Sequence, residues 1–548
     1  MKKLHTISSC VVTMMLTANL IAAPIKPPKL ILQLTIDQFA GNQLDRFKQH
    51  LADGGFAKIL KHAIWYDNAH HPHATTQTAV GHTTLATGSV PATHGIIANN
   101  WRDRTTFESI YAMEDPKFAI LGSRSKDKKD GRSPANINVP SFADSLALGT
   151  HNQSKRFAVS TKDRGAIPLA GKMGKAFWFD TESGRYVSSK YYYQTYPAWV
   201  TTWNDKQLAN KYVNHSWQLS QDCNNYIYCQ DGRRHFKSTK MQFKPNFPHP
   251  FGKQANKSYY RNLTISPIGD EILLDFAKQL LVEEKLGRSD TTDYLSISLS
   301  ATDAIGHTFG PNSLESEDNF IRLNTNLNQF LQFVDTQVGL NNVLIVLSAD
   351  HGVSPSPTYL QQFNYPSFEV DFKTLKDNPK VSKFLKNNRL NWNKLVINQT
   401  PDLYLNQRYL KQKKLAVHDV ILKLTKALKD VDGIAQAIPS QPTLRAKWRS
   451  PLFETALLNQ IYPERSGDIY LIPSPYCYIS SSPYDKSHHG TPWAYDTHVP
   501  IIFSHPAFSP ERIHRKVFTT QLAPTLAAIN HTPPLAGSQS SILSEFSK

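Results

Sequence analysis

Four short apolar runs, each ending in charged residues, constrain the fold of this chain more than any other feature. They are "KLILQLTID" (29–37), "RFAVSTKDRG" (156–165), "DYLSISLSATD" (293–303) and "NNVLIVLSADHG" (341–352). Each run is rich in leucine or β-branched residues and is bounded by turn-forming residues, which is typical of buried parallel strands. The sequence therefore predicts that the four runs are strands of one sheet.

The segment "SEDNFIRLNTNLNQFLQFVDTQV" (316–338) connects the third run to the fourth. Its apolar residues recur every three or four positions, which predicts an amphipathic helix. They are Phe320, Leu323, Leu327, Phe330 and Val334. A strand, helix, strand order predicts a doubly wound α/β fold, with a mostly parallel central sheet and helices on both faces.

The polar residues at the ends of the runs predict a ligand site. Asp37, Asp303 and Asp350 end three of the runs, and the remaining run ends at Lys162 and Arg164. In doubly wound sheets ligands bind at the carboxyl ends of the strands. Since Lys162 and Arg164 are two residues apart and are expected to close a strand, their side chains are expected to leave the same face.

Two regions lack this pattern and are interpreted as insertions that decorate a catalytic core. Residues 165–262 are rich in Tyr, Trp, Asn and Lys with little periodicity, and residues 355–465 have strand and helix signals of their own. The core is then expected to consist of residues 24–164, 263–354 and 466–548.

Residues 1–23 have the pattern of a secretory signal peptide. Lys2 and Lys3 precede an apolar run, and Ala22 and Ala23 offer a cleavage site. The run is short for a bilayer span, and no later segment has a transmembrane pattern. We therefore expect a periplasmic or secreted protein without a stable membrane span after cleavage, with an uncleaved anchor as the alternative.

The cysteines are consistent with export. Cys223 and Cys229, in "CNNYIYC", are spaced for a short-loop disulfide in an oxidising compartment. Cys10 leaves with the signal peptide, and Cys477 is expected to stay unpaired and buried.

The chain is basic, with 61 Lys and Arg against 44 Asp and Glu, a formal net charge of +17. This balance favours an anionic partner. No arginine-rich run with interleaved aromatic residues is present, so nucleic-acid recognition is not expected. Small anionic substrates and an anionic membrane surface both agree with the charge.

The segment "TTQTAVGHTTLATG" (75–88) has six threonines in fourteen residues. Strand surface is one explanation, and a nucleophile among the threonines is the other. Thr78 precedes a predicted helix that ends at Gly88, so it is expected near a helix N-terminus, where amide dipoles favour a phosphoryl group.

Aspartates and histidines after the strands form a mixed oxygen and nitrogen donor set suited to zinc or a similar divalent ion. Two such ions clamp the attacking and leaving oxygens of an in-line displacement and lower the pKa of a neighbouring hydroxyl. The recurring Asp and His pairs therefore predict a site for two metals. The candidates are Asp37, Asp303, His307, Asp350, His351, His488, His489 and His498.

Six motifs occur in the order found in the alkaline phosphatase superfamily. They are "LTIDQF", "TAVGHTTLATGSVPATHGIIANNW", "STKDRG", "SATDAIGHTFGP", "SADHG" and "HHGTPWAYDTHVP". On these motifs the chain resembles that superfamily from Lys29 to Leu543, and within it the PafA-like phosphate-monoester phosphatases. The resemblance implies an alkaline phosphatase with two Zn²⁺ per chain that hydrolyses small phosphate monoesters through a phosphothreonine.

The resemblance also implies roles for individual residues. Thr78 corresponds to the nucleophile, and Asn99 to the asparagine that contacts a phosphoryl oxygen. Lys162 and Arg164 correspond to the pair that binds the remaining oxygens of a monoester.

The resemblance further implies two sets of metal ligands. The first zinc is assigned to Asp37, Thr78, Asp350 and His351. The second is assigned to Asp303, His307 and His489, with His489 preferred over His488 because the family's ligand directly precedes the glycine. No third metal is implied. Local structure is the expected role of Thr75, Thr76, His71, His73 and His82.

Several other functions share part of this pattern. A phosphodiesterase or nucleotide pyrophosphatase of the same superfamily shares the metal ligands, but the two cations of "KDR" suit a dianionic monoester better. A sulfatase is disfavoured because the C/S-x-P-x-R motif is absent at Thr78. A cofactor-independent phosphoglycerate mutase is expected to use serine and to need no export. A non-enzymatic phosphate- or metal-binding protein of the cell envelope leaves the threonine unexplained.

Overall fold

The computed structural model describes residues 26–123, 127–230, 246–445, 453–480 and 487–547. The predicted signal peptide, residues 1–23, lies outside the described residues. Within the described ranges, no helix combines the length and hydrophobicity that a membrane crossing requires.

The strands of the described residues are numbered in chain order. They are β1 (Leu30–Ile36), β2 (Ala63–His70), β3 (Asn100–Arg102), β4 (Ser109–Tyr111), β5 (Arg156–Ser160), β6 (Lys175–Asp180), β7 (Arg185–Val187), β8 (Ser216–Trp217), β9 (His249–Pro250), β10 (Asp293–Leu299), β11 (Val343–Ser348), β12 (Glu369–Asp371), β13 (Val396–Gln399), β14 (Asp402–Leu405), β15 (Ile434–Pro439), β16 (Ile469–Pro473), β17 (Tyr478–Ser480), β18 (His498–Ser504), β19 (Glu511–Ile513) and β20 (Val517–Phe518).

The α-helices of the same ranges are numbered likewise. They are α1 (Gln43–Arg46), α2 (Gly55–Leu60), α3 (Thr78–Thr87), α4 (Pro91–His94), α5 (Phe142–Gly149), α6 (Asp163–Ala170), α7 (Ala198–Asp205), α8 (Ile227–Gln230), α9 (Lys257–Thr264), α10 (Pro267–Glu283), α11 (Ala301–Phe309), α12 (Leu314–Val338), α13 (Pro357–Gln361), α14 (Pro379–Asn387), α15 (Trp392–Leu395), α16 (Gln407–Gln412), α17 (Val417–Leu428), α18 (Pro442–Arg445), α19 (Glu454–Gln460), α20 (Ala494–Thr497) and α21 (Leu522–Ile529).

The largest sheet has ten strands in the order β19-β2-β18-β11-β1-β10-β5-β6-β7, with β20 paired to β2. The five consecutive strands β6, β5, β10, β1 and β11 are parallel to one another. In contrast, β18 is antiparallel to both β11 and β2, and β7 is antiparallel to β6. The four apolar runs supply β1, β5, β10 and β11, which confirms the predicted α/β class with a mostly parallel central sheet.

Helices cover both faces of this sheet. Successive strand residues point to opposite faces, so Leu32 of β1 packs in one cluster with Leu327 of α12, whereas Ile31 packs in another with Phe142 of α5 and Leu526 of α21. The five apolar residues of the predicted amphipathic helix are all buried in α12. Both the doubly wound arrangement and this helix are therefore confirmed.

The central sheet continues past residue 164 into the segment predicted as the first insertion. β6 and β7 extend it, and β6 pairs in parallel with β5 after the short connection through α6. Phe177 and Trp178 of β6 are buried. This strand is rich in aromatic residues rather than leucine or valine, which concealed it from the sequence analysis.

A second, four-stranded sheet has the order β13-β14-β16-β15. Leu385 of α14 and Leu424 of α17 form a separate hydrophobic cluster with Leu471 of β16. The small sheet therefore includes residues beyond position 465, where the predicted second insertion ended.

Cys223 and Cys229 are joined in a disulfide, as the spacing predicts, and Cys477 is buried and unpaired. Next to the disulfide, the backbone N–H groups of Ile227 and Tyr228 donate to the two carboxylate oxygens of Glu317 at 2.8 and 2.9 Å. Since Glu317 belongs to α12, this disulfide-bonded segment is attached directly to the core.

Candidate active site

The carboxyl ends of three adjacent strands bring three aspartates together. Asp37 follows β1, Asp350 follows β11, and Asp303 lies in the first turn of α11, just after β10. Because β1 pairs in parallel with both β10 and β11, these ends meet at one edge of the sheet. All three carboxylates are buried.

Gln38 connects these strand ends and was missed by the sequence analysis. Its backbone N–H donates to Asp350 Oδ1 at 3.1 Å, and its side-chain amide donates to Asp303 Oδ1 at 2.8 Å. The residue has a positive φ of 68°, which turns the chain sharply after β1. Its position directly after Asp37 is the one sequence signal that marks it.

One group of possible metal ligands consists of Asp303, His307 and His489. Asp303 and His307 are four residues apart on α11 and so share one helix face. Asp303 Oδ1 lies 3.1 Å from His307 Nε2 and 3.4 Å from His489 Nε2, and the two Nε2 atoms are 3.1 Å apart. This is the predicted second ligand set, brought together from two distant segments.

A second group consists of Asp37, Asp303 and His351, with Asp350 beside it. His351 Nε2 lies 3.5 Å from Asp37 Oδ1 and 3.3 Å from Asp350 Oδ2. The structure therefore places Asp303 in both groups, although the resemblance assigned it to one zinc alone. Its carboxylate oxygens are within reach of the other donors of both groups.

The histidines of both groups are oriented by backbone carbonyl groups. The Nδ1 atom of His307 contacts the Ser487 carbonyl at 2.9 Å, and that of His351 contacts the Gly352 carbonyl at 3.0 Å. His489 Nδ1 contacts the Thr76 carbonyl at 2.6 Å. A carbonyl on Nδ1 fixes the tautomer that leaves Nε2 as a ligand atom, which is common in metal sites.

These residues fit divalent metal ions. Among the described residues, Asp37 Oδ1, Asp350 Oδ2 and His351 Nε2 are buried without a hydrogen-bond partner. Unpaired buried polar atoms are costly. Carboxylate oxygen and imidazole nitrogen are donors that zinc accepts, so bound cations would account for these unpaired atoms.

The pKa values reflect this crowding of buried charges. Burial, followed by the nearby Asp303 and Asp350 carboxylates, raises the pKa of Asp37 well above its usual value. Burial also acts to raise the pKa of Asp303 and Asp350, but Lys162 and His307 outweigh it at Asp303, and His351 and His82 outweigh it at Asp350, so the pKa of each carboxyl is lowered. Burial keeps the pKa of His351 well below its usual range, so its ring is neutral, as a metal ligand must be.

Thr78 is the first residue of α3 and is 2% exposed, and Gly88 ends that helix with φ 63°, as predicted. His82 Nδ1 lies 2.9 Å from the Thr78 carbonyl and 3.2 Å from Asp350 Oδ2. The sequence predicted only a local structural role for His82, and the contact with Asp350 was not predicted. A Cβ atom on Gly81 would lie 1.9 Å from the Asp350 carbonyl oxygen, so only glycine lets α3 approach β11 this closely.

Asn99 is held beside Thr78 by two hydrogen bonds. Its Oδ1 accepts from the backbone N–H of Ala79 at 2.9 Å, and its own backbone N–H donates to Gln77 Oε1 at 2.8 Å. Among the described residues, no partner occupies its side-chain NH₂ group. Asn99 can therefore donate a hydrogen bond to a ligand at the N-terminus of α3.

Lys162 and Arg164 do not close a strand, which corrects the prediction. β5 ends at Ser160, whose hydroxyl accepts from the Lys162 N–H at 3.0 Å. This turn starts α6, with Lys162 as its N-cap and Arg164 in its first turn. Helical geometry then replaces the strand alternation, so the two side chains do not share a face in the manner expected.

Lys162 contacts the aspartates directly. Its ammonium group lies 2.6 Å from Asp37 Oδ2 and 2.5 Å from Asp303 Oδ2. Burial lowers the pKa of Lys162, but Asp303 and Asp37 outweigh it and raise that pKa overall. The predicted phosphoryl-binding lysine is thus placed within the carboxylate cluster.

Arg164 lies on the same helix turn beside Tyr111 and Asp163. Its pKa is raised: burial acts to lower it, and Tyr111 and Asp163 more than compensate. Asp163 accepts from Tyr111 and, at 2.5 Å, from Arg132 Nε, which fixes the start of α6. Arg164 Nε is buried without a hydrogen-bond partner among the described residues, which leaves a donor for a ligand.

The remaining histidines and threonines named in the sequence analysis make contacts outside the two ligand groups. His488 Nδ1 contacts the carbonyl of His489, and His498 Nε2 contacts the Asp67 carbonyl at 2.6 Å. Thr75 and Thr76 are hydrogen-bonded to Tyr470 and to the Thr491 carbonyl. None of these four side chains belongs to the two ligand groups of the described residues.

A cavity of about 580 Å³ opens beside His489 and Gln77. One side of it comes from the core, and the other comes from the small sheet and the turn after β13, including Asn398 and Thr400. Since Gln77 precedes Thr78, the cavity lies next to the N-terminus of α3.

Comparison with known proteins agrees with this geometry. The profile of the type I phosphodiesterase / nucleotide pyrophosphatase family matches residues 31–498. The alkaline phosphatase PhoV of Synechococcus elongatus is 32% identical, over 95% of this chain and 93% of its own. The alkaline phosphatase PafA of Elizabethkingia meningoseptica is 30% identical, over 92% of this chain and 91% of its own.

A crystal structure of PafA superposes with a TM-score of 0.86 at 28% identity, covering 95% of this chain and 99% of that chain. Murine ectonucleotide pyrophosphatase / phosphodiesterase 5 shares the fold alone, with a TM-score of 0.52 at 13% identity over 93% of this chain and 97% of that chain. The predicted resemblance to PafA-like phosphatases is confirmed, and the chain belongs to the type I phosphodiesterase / nucleotide pyrophosphatase family.

Proposed function

We propose that this protein is an exported alkaline phosphatase that hydrolyses phosphate monoesters through a phosphothreonine at Thr78, with two zinc ions in its active site. The phosphatase assignment is supported by PhoV and PafA, which align with more than nine-tenths of the chain. The observation that carries the mechanism is the pair of overlapping ligand groups, one of which includes His489, whose Nδ1 contacts the carbonyl of Thr76 just before α3.

The ligand groups divide the predicted donors between two ions. Asp37, Asp350 and His351 would hold one, and His307 and His489 the other, with Asp303 within reach of both. When bound, the two ions supply the positive charge that lowers the pKa of a nearby hydroxyl and neutralises a phosphoryl group.

The residues of the chain perform the remaining steps. The Thr78 hydroxyl gives its proton to solvent water and its oxygen attacks phosphorus. An O–P bond to Thr78 forms while the bond from phosphorus to the ester oxygen breaks, and the leaving group takes up a proton from water. A second water then attacks phosphorus, which breaks the bond to Thr78, restores the threonine hydroxyl and releases inorganic phosphate. Asn99 donates to one phosphoryl oxygen, and Lys162 and Arg164 supply positive charge that stabilises the transition state.

We also propose that the protein acts outside the cytoplasm. The disulfide between Cys223 and Cys229 suits an oxidising compartment such as the periplasm or the extracellular medium. A predicted signal peptide at residues 1–23 provides the route. Small phosphate esters are the proposed substrates, and nucleic-acid recognition is not part of the proposal.

The test compares one monoester with one diester that has the same leaving group. We expect the purified enzyme to release p-nitrophenol from p-nitrophenyl phosphate with a much higher kcat/KM than from methyl p-nitrophenyl phosphate, and to lose activity on chelation. A preference for the diester would make the protein a phosphodiesterase of the same family. Bound metal without hydrolysis of either ester would support a binding protein instead.

A further inference from the structure

The cavity beside His489 and Gln77 is positioned to receive the leaving group of a substrate. His489 belongs to a candidate ligand group, and Gln77 contacts Asn99 and precedes Thr78. An ester whose phosphoryl group lies at the N-terminus of α3 therefore has this cavity next to it. The leaving group is the part of the substrate that differs between natural monoesters. The residues that line the cavity can therefore determine which monoesters the enzyme prefers.

Arg102 supplies a distinctive charge in this wall. Among the described residues that line the cavity, Arg102 is the only one with a permanent charge, and none of them is acidic. The neutral polar side chains around it include those of Asn398, Gln399, Thr400 and Ser480. A cavity with one cation and several neutral hydrogen-bonding groups suits a polar ligand that carries negative charge.

The contacts of Arg102 leave most of its hydrogen-bonding capacity unused. Its terminal nitrogens reach the carbonyl oxygens of Phe107 at 3.5 Å and Asn398 at 3.4 Å, both at the long limit of a hydrogen bond. Its Nε is buried without a partner, and within the described part of the chain no carboxylate forms an ion pair with it. Neighbouring Arg104, in contrast, pairs with Asp468 at 2.6 Å.

A half-buried guanidinium without an anionic partner is available for charge-assisted hydrogen bonds to a ligand. Arg102 is well placed to bind one, because it ends β3 only three residues after Asn99. The planar guanidinium forms two parallel hydrogen bonds to a carboxylate or a phosphoryl group.

We propose that Arg102 makes this cavity a subsite for leaving groups that carry a second anionic group, so that the preferred substrates are small phosphate monoesters with an additional carboxylate or phosphoryl group. The inference rests on the proposed function, since it concerns the leaving group of that reaction. Arg102 acts on specificity and takes no part in the bond-breaking step.

The experiment uses two substrates that differ at one carbon. 3-Phosphoglycerate and glycerol 3-phosphate have the same three-carbon chain and the same phosphoryl position, but one ends in a carboxylate and the other in a hydroxymethyl group. We expect Arg102→Gln to lower the kcat/KM for 3-phosphoglycerate, relative to that for glycerol 3-phosphate, about tenfold or more. This is the usual effect of losing a charged hydrogen bond. The change should appear mainly in KM for 3-phosphoglycerate, since the contact is made equally in the ground and transition states.

Arg408→Gln is the matched control. Arg408 is exposed, lies on α16 and lines a different cavity, so this variant removes the same charge at a site away from the subsite. We expect it to leave the substrate ratio unchanged. An equal change in both variants would show a general effect of net charge and would overturn the inference.

Arg102→Lys completes the test if Arg102→Gln does not fold. Lysine keeps the charge but cannot form the bidentate pair of hydrogen bonds. The preference for 3-phosphoglycerate over glycerol 3-phosphate should therefore fall to a value between those of the wild type and Arg102→Gln. Hydrolysis of both substrates by the wild type with no change of ratio in either Arg102 variant would overturn the inference and leave the proposed function intact. Hydrolysis of neither substrate by the wild type would count against the proposed function, and against the inference with it.

Discussion

The ammonium group of Lys162 lies 2.6 Å from Asp37 and also contacts Asp303, so one cation joins the carboxylates that follow two neighbouring strands. Three buried carboxylates at one sheet edge repel each other, and this contact offsets part of that repulsion. It also places the start of α6 at the same edge as α3. The proposed nucleophile and the proposed phosphoryl-binding cations therefore meet at the ends of β1, β5 and β10.

Replacing Thr78 tests the proposed nucleophile. Thr78→Ala should lower phosphatase activity by at least about 10³-fold, because removing a covalent catalyst costs most of the rate. Thr78→Ser keeps a hydroxyl and should retain measurable activity. Steady-state assays with p-nitrophenyl phosphate measure these losses, and mass spectrometry after acid quenching should find a phosphoryl group on Thr78.

Thr83→Ala is the control for the Thr78 variants. Thr83 lies on the same helix, but its hydroxyl donates to the Ala79 carbonyl within the helix, so its loss should leave activity nearly unchanged. A phosphoryl group trapped on Thr83, Thr75 or Thr76 would refute the assignment of Thr78.

Metal content tests the shared position of Asp303. Because Asp303 belongs to both ligand groups, Asp303→Asn should lower the content of both ions, whereas His307→Ala should lower that of one. Elemental analysis of the purified variants measures this, with about two ions expected per wild-type chain under the two-metal mechanism. If the two variants lost the same amount of metal, the shared role of Asp303 would be wrong.

Lys162 and Arg164 are expected to favour monoesters over diesters. The double variant Lys162→Ala/Arg164→Ala should lose about ten- to a hundredfold more kcat/KM on the monoester than on the matched diester, since a dianion gains most from charged contacts. Kinetics on both esters measure the difference. Lys172→Ala, an exposed lysine just after α6, should change neither value. Equal losses on the two esters would contradict the assigned role.

Gly81 is expected to tolerate no side chain. In Gly81→Ala the new Cβ would lie 1.9 Å from the Asp350 carbonyl oxygen, so α3 must move away from β11. Thermal unfolding should show a loss of about 1–3 kcal/mol, as overpacking causes, together with a large loss of activity. Gly269→Ala on α10, where the nearest atom is 3.1 Å from the new Cβ, should have a smaller effect on stability and little on activity.

Asp402 is expected to make stability depend on pH away from the active site. Burial raises the pKa of Asp402 to about 7, despite a 2.8 Å hydrogen bond from the Gly467 N–H. Between its ordinary value and 7 the folded protein keeps a proton that the unfolded chain releases, so this group lowers stability as pH rises through that window and adds no further change above it.

Asp402→Asn should remove this contribution, because the amide stays neutral and still accepts from Gly467. The stability of the variant relative to wild type should rise by about 1.4 kcal/mol per pH unit between about pH 4 and 7. Denaturant unfolding at several pH values measures the difference, with the exposed Asp377→Asn as control. A pH-independent difference would show that Asp402 is ionised in the folded protein across this range.

Local patterns in the sequence were sufficient for β1, β5, β10 and β11, for α12 and for the limits of α3. Continuous apolar runs specify buried strands, a spacing of three or four specifies a helix, and Gly88 ends α3 because glycine adopts its positive φ without strain. The aspartates at the strand ends were also predictable, since parallel strands bring their carboxyl ends to one edge of the sheet. The family motifs then assigned the individual ligands.

Tertiary structure alone decided how these residues share the site. The bond from Gln38 to Asp350 spans 312 positions and that between His489 and Thr76 spans 413, and no local pattern encodes such contacts. The place of Asp303 in both ligand groups and the cavity beside Arg102 arise in the same way. Each depends on distances set by the packing of separate segments, whereas the sequence specifies directly only the conformation of neighbouring residues.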